Sequence, residues 1–157
     1  MKEQQRTFDP QKVKWVDLGL PSGRLWASEK ADGYYNYNDA VETFGEYLPK
    51  GVAFAELIEE CTVEWDSNEK GLNVIGPNGN TIFLPAVGYI YPAVSKPEGI
   101  GRYGCYWSRM PYVNSKTCAP ASQDSARNLY FDSGLIYPLH GSGRAYGFGV
   151  RPSRELN

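Results

Sequence analysis

Residues 37–66 read YNDAVETFGEYLPKGVAFAELIEECTVEWD, and the spacing of the apolar residues changes within this stretch. Up to Cys61 the apolar residues recur every three or four positions, which is the period of an amphipathic helix. From Thr62 onward the period becomes two, which is typical of a strand. Helices followed by a run of short strands predict an α+β domain.

Two helices are predicted in this stretch. The first begins at Asn38-Asp39, with negative charge in its first turn, and ends at Pro49 and Gly51. The second begins at about Ala53. The two apolar stripes consist of Tyr37, Ala40, Val41, Phe44 and Leu48, and of Phe54, Leu57, Ile58 and Cys61. Because Cys61 lies on such a stripe, it is predicted to be a small core residue.

Short strands are predicted on both sides of the helices. They cover residues 13–18 and 25–27 before them, and 62–66, 72–75, 81–84, 105–108, 126–131, 135–137 and 148–151 after them. Asn78-Gly79 predicts a hairpin turn, since both residues tolerate positive φ angles. Asp132-Ser-Gly134 predicts another hairpin turn, and residues 88–104 a long loop rich in Gly, Pro and Tyr. The polar residues 1–12 predict a flexible arm, and residues 13–157 a single domain.

Charge and tyrosine are distributed unevenly along the chain. Residues 1–100 carry nine Lys and Arg against fifteen Asp and Glu, whereas residues 101–157 carry seven against three and contain six of the twelve tyrosines. The formal net charge of only −2 argues against a dedicated nucleic-acid binder. No apolar run is long enough to predict a membrane span, and the first residues lack the apolar core of a signal peptide.

Few residues are suited to catalysis or metal binding. The single histidine, His140, lies in a Gly-Ser-Gly segment predicted to be a mobile loop, which disfavours a Ser-His-Asp or Cys-His system and most metal sites. Cys105 and Cys118 could form a bridge or stay reduced, and the spacing leaves both open. No catalytic residue, metal or cofactor is predicted. A cysteine-dependent enzyme stays as an alternative.

The last third of the chain has the composition of a recognition surface. Tyrosine supplies large, rigid contact area, and arginine adds forked hydrogen bonding. In strand 126–131, alternation predicts that Leu129 and Phe131 point inward and Tyr130 outward. The alternative is that about half of these tyrosines pack within the sheet, because strands favour tyrosine.

Several blocks of the sequence resemble the Fibrobacter-type major paralogous domain family of bacterial surface proteins. The blocks are residues 16–27 (VDLGLPSGRLWA), 76–85 (GPNGNTIFLP), 106–108 (YWS), 129–133 (LYFDS) and 147–152 (GFGVRP). The resemblance implies a C-type-lectin-like fold, with two helices packed on small antiparallel sheets, in one binding domain spanning residues 13–157. The calcium-binding motifs of sugar-binding C-type lectins are missing, so calcium-dependent sugar binding is not expected.

Residues 137–152, YPLHGSGRAYGFGVRP, resemble the end of variable proteins made by diversity-generating retroelements. In those proteins, copying errors at adenines change Asn codons into many others, but never into codons for Lys, Gln, Met or Trp. The resemblance implies a displayed ligand-binding face, and a location on a bacterial cell surface or a phage particle. With Tyr103 added from the composition, the predicted ligand-binding residues are Tyr103, Cys105, Arg109, Tyr112, Asn114, Tyr130, Tyr137, His140, Ser142 and Tyr146.

The expected partner is a protein or a surface glycan. An undiversified surface or adhesin domain of the same family, with a structural role, is the main alternative. Nucleic-acid binding through the basic C-terminal half is a weaker one, and the test for it is a salt-dependent affinity.

Overall fold

The fold is known from a computed structural model, which describes residues 7–111 and 125–155. Two α-helices, α1 (Tyr37–Phe44) and α2 (Gly51–Glu60), lie between strands. The strands within these residues are β1 (Trp15–Asp17), β2 (Leu25–Ala27), β3 (Thr62–Asp66), β4 (Gly71–Ile75), β5 (Thr81–Pro85), β6 (Gly104–Pro111), β7 (Ser125–Phe131), β8 (Ile136–Gly143) and β9 (Ser153–Arg154). They form three antiparallel sheets, ordered β1-β2-β9, β3-β4-β5 and β6-β7-β8. The predicted α+β class is confirmed.

The first helix begins and ends at side-chain and backbone caps that the sequence provides. The side chain of Asn36 accepts a hydrogen bond from the backbone N–H of Asp39 at 2.8 Å, which satisfies one of the free donors of the first turn. Gly45 ends α1 with φ of 51°, a conformation that glycine adopts without steric penalty. A 3₁₀ turn, Gly45–Tyr47, follows. The second helix begins at Gly51, slightly before the predicted start at Ala53.

The sheet β6-β7-β8 separates two hydrophobic clusters, because successive side chains of a strand point to opposite faces. On one face, Tyr106, Leu129 and Phe131 join residues of α2, β4 and β5. On the other face, Cys105, Trp107 and Ala126 join residues of α1. One buried polar group on each face illustrates how such groups are bonded: the Tyr106 hydroxyl donates to the Pro85 carbonyl and the Trp107 indole to the Tyr35 carbonyl.

Arg151 is fully buried and bonds to two segments that are distant from it and from each other in sequence. Its guanidinium donates to the carbonyl oxygens of Ala27 (2.9 Å), Ser28 (2.8 Å) and Phe83 (2.7 Å). Burial lowers the pKa of this guanidinium to about 10, so it stays charged at neutral pH. The side chain therefore ties the end of β2 to β5.

The segment predicted as a strand over residues 148–151 is not a regular strand. Phe148 bridges to Tyr35 and Gly149 to Tyr106, each as an isolated pair. Pairing of the C-terminal end with β2 comes instead from the next strand, β9. The loop before α1 bonds to the segment at Phe148 and Val150, and the central sheet bonds to it at Gly149, so neither neighbour forms a continuous ladder with it.

The prediction that His140 lies in a mobile loop is wrong. His140, Gly141 and Gly143 belong to β8, which extends well past the predicted residues 135–137 and pairs with β7 as far as Ser125. Glycine has a low intrinsic propensity for strands. Here the paired backbone of β7 supplies hydrogen bonds that the local sequence does not predict.

Residues 7–12 of the predicted flexible arm contact the domain and include a short turn. The ring of Phe8 packs against Phe44 and Tyr47, with centroid distances of 5.0 and 5.4 Å. A 3₁₀ turn, Pro10–Lys12, is capped by Asp9, whose carboxylate accepts from the backbone of Gln11. Residues 1–6 lie outside the described residues.

Candidate functional site

Seven aromatic side chains follow one another across one face of the central sheet and its neighbouring loop. We call them the aromatic strip: Tyr89, Tyr91, Tyr103, Tyr130, Tyr137, His140 and Tyr146. Tyr137 and Tyr91 are 47% and 42% exposed, His140 is exposed, and the other four are half-buried. The strip is therefore a solvated continuation of the cluster that α1 covers.

The rings of the strip contact one another without a gap. At one end, Tyr91 packs on Tyr89 and Tyr146, with centroid distances of 5.2 and 5.5 Å. Tyr89 then lies 6.2 Å from Tyr103, which in turn lies 6.1 Å from Tyr130. Aromatic pairs in this distance range attract each other beyond their area of contact. The rings of the strip accordingly support one another's positions.

A β-bulge sets the far end of the strip. Tyr130 pairs with Tyr137 and Asn128 with His140, so one residue of β7 faces two residues of β8 between these pairs. Without the extra residue, side chains three positions apart would point to opposite faces. The bulge brings His140 to the same face as Tyr137, with ring centroids 6.1 Å apart.

A small polar group lies beside this end of the strip. The buried side-chain amide of Asn128 donates to the Ser142 hydroxyl at 2.9 Å and to the His140 carbonyl at 3.3 Å. The Ser142 hydroxyl lies 3.4 Å from Nδ1 of His140. The carbonyl oxygen of the Asn128 side chain has no partner among the described residues. Partial burial lowers the pKa of His140, which favours the neutral imidazole.

Two hydroxyl groups of the strip, those of Tyr89 and Tyr130, have raised pKa values and so stay protonated at neutral pH. A hydrogen bond with Tyr91 raises the pKa of Tyr89 to about 12. Burial, together with a hydrogen bond to Asp132, raises the pKa of Tyr130. Near the middle of the strip, the guanidinium of Arg102 lies 5.3 Å from the ring centre of Tyr103. The surface thus offers neutral phenols at Tyr89 and Tyr130, with a cation, Arg102, over the ring of Tyr103.

The structure brings together most of the predicted site residues that it describes. Tyr103, Tyr130, Tyr137, His140 and Tyr146 are members of the strip, and Ser142 lies next to it. The alternation predicted for β7 is correct, since Leu129 and Phe131 are buried on the opposite face from Tyr130. Tyr130 itself is half-buried rather than fully outward, because neighbouring rings flank it.

Two predicted residues do not lie in the strip. Cys105 is only 4% exposed and belongs to the cluster under α1, so its assignment to the contact surface is wrong. Arg109 is half-buried near α1, where its carbonyl accepts a hydrogen bond from the Tyr37 hydroxyl. Tyr112 and Asn114 lie outside the described residues.

Sequence reasoning missed Tyr89 and Tyr91. They lie in the loop predicted over residues 88–104, and a backbone bridge between Ile90 and Gly147 holds that loop beside Tyr146. The signal was the Tyr-x-Tyr pattern itself, with two large aromatic residues in a Gly- and Pro-rich segment.

The described residues provide no constellation suited to metal or thiol chemistry. No three His, Cys, Asp or Glu side chains come together in that part of the chain. Burial raises the pKa of the Cys105 thiol to about 12 and that of Cys61 to about 11, which suppresses the reactive thiolate. Cys118 falls in the range that the structure does not describe.

Cavities near the strip are shallow. A groove of about 370 Å³ is lined by Arg127 and residues 137–141, and so touches the strip at Tyr137 and His140. A separate cleft of about 380 Å³ lies beside Arg151 and is lined by no residue of the strip. The site is therefore an open face with a shallow groove at its edge.

No family model matches the chain, and neither a curated protein nor a solved structure matches it. In the described part of the chain, neither α1 nor α2 is long and apolar enough to cross a membrane.

Proposed function

We propose that the chain is a ligand-binding module with a C-type-lectin-like fold, and that the aromatic strip is its contact surface. The observation that carries the proposal is the strip itself. Seven aromatic rings in continuous contact lie on one open face, and two of the tyrosines keep more than two fifths of their surface exposed. Exposed apolar groups concentrated in this way are typical of interaction sites.

The geometry favours a protein partner. Tyrosine combines a large apolar face with a hydroxyl group and loses little side-chain entropy on binding, which is why contact surfaces for proteins are rich in it. Ser142 and His140 add polar groups at the edge of the strip. The shallow groove can accept a side chain of a protein partner, whereas a small molecule usually binds in a more enclosed pocket.

The two-helix, small-sheet architecture and the sequence blocks described above support the C-type-lectin-like assignment. The proposed role is that of a receptor or adhesin on a bacterial or phage surface. The residues of the strip that lie between residues 102 and 146 are the diversified positions, and the surrounding strands form a constant scaffold.

Panning a random-peptide phage library on the immobilised chain tests this function. The selected peptides are then measured against Tyr130→Ala and Tyr137→Ala. We expect each variant to weaken binding about tenfold or more, as for a central interface aromatic. Tyr47→Ala is the matched control, because Tyr47 is half-buried but packs on Phe8 and Trp15 away from the strip. Peptides that bind all three variants as tightly as the parent chain would refute the proposed contact surface. Binding only on a glycan array would replace protein with glycan as the partner.

Sequencing the same locus in independent isolates tests the diversification. We expect differences at Tyr103, Tyr130, Tyr137 and Tyr146, and constancy at the buried Tyr106, Trp107 and Arg151. Differences spread evenly over the chain would favour the undiversified adhesin instead.

A further inference from the structure

Asp132 contacts both the β7–β8 turn and the aromatic strip. One carboxylate oxygen, Oδ1, accepts from the backbone N–H groups of Gly134 and Leu135, both at 2.9 Å. The other, Oδ2, accepts from the Tyr130 hydroxyl at 3.0 Å. The turn is what the sequence predicted for this residue. The bond to the phenol is a second contact that a turn does not require.

Tyr130 is the ring at which the strip branches. It packs against Tyr103 at 6.1 Å, Tyr137 at 6.2 Å and His140 at 5.1 Å. Tyr103 belongs to the loop that ends where β6 begins, whereas Tyr137 and His140 both belong to β8. The orientation of the Tyr130 ring therefore determines how the loop side and the β8 side of the strip meet.

We infer that Asp132 is a positioning residue of the proposed binding surface, which holds the ring of Tyr130 in the orientation that the rest of the strip packs against. The inference rests on the proposed function. An ionised carboxylate accepts hydrogen bonds at both oxygens and donates none, so it serves the turn and the phenol at once. Bonds to an ionised acceptor are also stronger than neutral ones. The backbone bond from Gly134, together with the Tyr130 hydroxyl, lowers the pKa of Asp132, so the carboxylate stays ionised at neutral pH.

The substitution Asp132→Asn separates the two contacts. An Asn side chain keeps one carbonyl oxygen for the turn, but its second group is an amide donor, which cannot accept from the phenol. It can only donate to the phenol oxygen, so a bond to an ionised acceptor is replaced by a weaker neutral one. We expect the chain to stay folded. Contacts from the Tyr130 ring to Tyr103 and His140, measured by nuclear Overhauser effects on ring-labelled tyrosine, should weaken. The phenol pKa of Tyr130 should fall toward its ordinary value.

Asp66→Asn is a matched control. Asp66 accepts from the backbone of Asn68 and Glu69 in the same manner, and its other oxygen accepts from Asn73 rather than from a tyrosine. This variant should leave the Tyr130 signals unchanged. Unchanged ring contacts and an unchanged phenol pKa in Asp132→Asn would overturn the positioning role.

Affinity for the selected peptides distinguishes this inference from the proposed function. We expect Asp132→Asn to lower the affinity for peptides that depend on Tyr130 about fivefold, as for the loss of one hydrogen bond. If the ring contacts weaken but those peptides bind as before, the positioning role in binding is overturned. If Tyr130→Ala and Tyr137→Ala leave peptide binding intact, the proposed function fails, while the ring measurements still judge the contact with Asp132.

Discussion

The imidazole ring of His140 lies against the phenol ring of Tyr130, with ring centroids 5.1 Å apart. The contact depends on the register shift between β7 and β8, since regular alternation would turn His140 to the opposite face from Tyr137. A histidine from a Gly-rich segment thereby becomes part of an aromatic surface.

Stability should depend on pH through His140. Partial burial between rings lowers its pKa below the ordinary value of 6.5, so the unfolded chain takes up the proton first as the pH falls. The free energy of unfolding should therefore decrease as the pH falls through about 6.5 and stop changing from this source below the folded-state pKa. Denaturant unfolding at a series of pH values measures this. In His140→Gln that component should disappear, and an identical pH profile for both chains would contradict the prediction.

Truncating two tyrosines of the central sheet should change the free energy of unfolding by very different amounts. Tyr106 is fully buried, so Tyr106→Ala should lower the free energy of unfolding by about 3–5 kcal/mol. Tyr137 is 47% exposed, so Tyr137→Ala should change it by only about 1 kcal/mol or less. Chemical denaturation monitored by circular dichroism measures both. A loss of similar size in the two variants would mean that Tyr137 is a packing residue rather than a surface one.

Replacing Arg151 should be among the most destabilising single changes. Arg151→Met removes the donor from one buried and two partly buried carbonyl groups, and we expect a loss of about 3–5 kcal/mol in the free energy of unfolding. Arg154→Met, at an exposed position of β9, should have a free energy of unfolding close to that of the parent chain. Should Arg151→Met fail to fold, Arg151→Lys provides the measurement. Lysine keeps the charge but cannot bond to three carbonyl groups at once. The stability of Arg151→Lys should therefore lie between that of Arg151→Met and that of Arg154→Met. A melting temperature for Arg151→Lys equal to that of the parent chain would show that the three hydrogen bonds of the guanidinium are dispensable.

Gly104 should not tolerate a side chain. A Cβ atom there would lie 2.0 Å from the nearest atom of the buried Phe131 ring, so Gly104→Ala should cost about 1–3 kcal/mol in unfolding free energy. Gly134→Ala is the control, because its nearest neighbour is 3.9 Å away. Adding Phe131→Leu to Gly104→Ala should recover part of the loss. An additive double variant would mean that the ring is not what excludes the methyl group.

Local patterns in the sequence were sufficient for the helices and for the hairpins of the second sheet. The apolar stripes located both helices, although α1 ends at Phe44 and a 3₁₀ turn takes the place of its predicted last turn; β3 matches its predicted range. The Asn-Gly turn correctly joins β4 to β5. These features depend on contacts between residues close in sequence, so a short window contains the necessary information.

The composition of the candidate site was also visible in the sequence, but its membership was not. Tyr103, Tyr130, Tyr137 and Tyr146 were named from the sequence, and the structure brings them into one strip. Cys105 was named wrongly, because alternation along β6 does not reveal that α1 covers the second face of the sheet.

By itself, the sequence determined the fold class, the two helices, the inward face of β7 and the abundance of tyrosine in the last third. Only the tertiary structure decided that β8 continues through the glycines, that a bulge aligns His140 with Tyr137, and that Tyr89 and Tyr91 extend the strip. Periodicity records which side of its own strand or helix a residue occupies. Whether that side meets another layer or water depends on pairings between distant segments, such as Asn128 with His140 and Ile90 with Gly147, which no local pattern encodes.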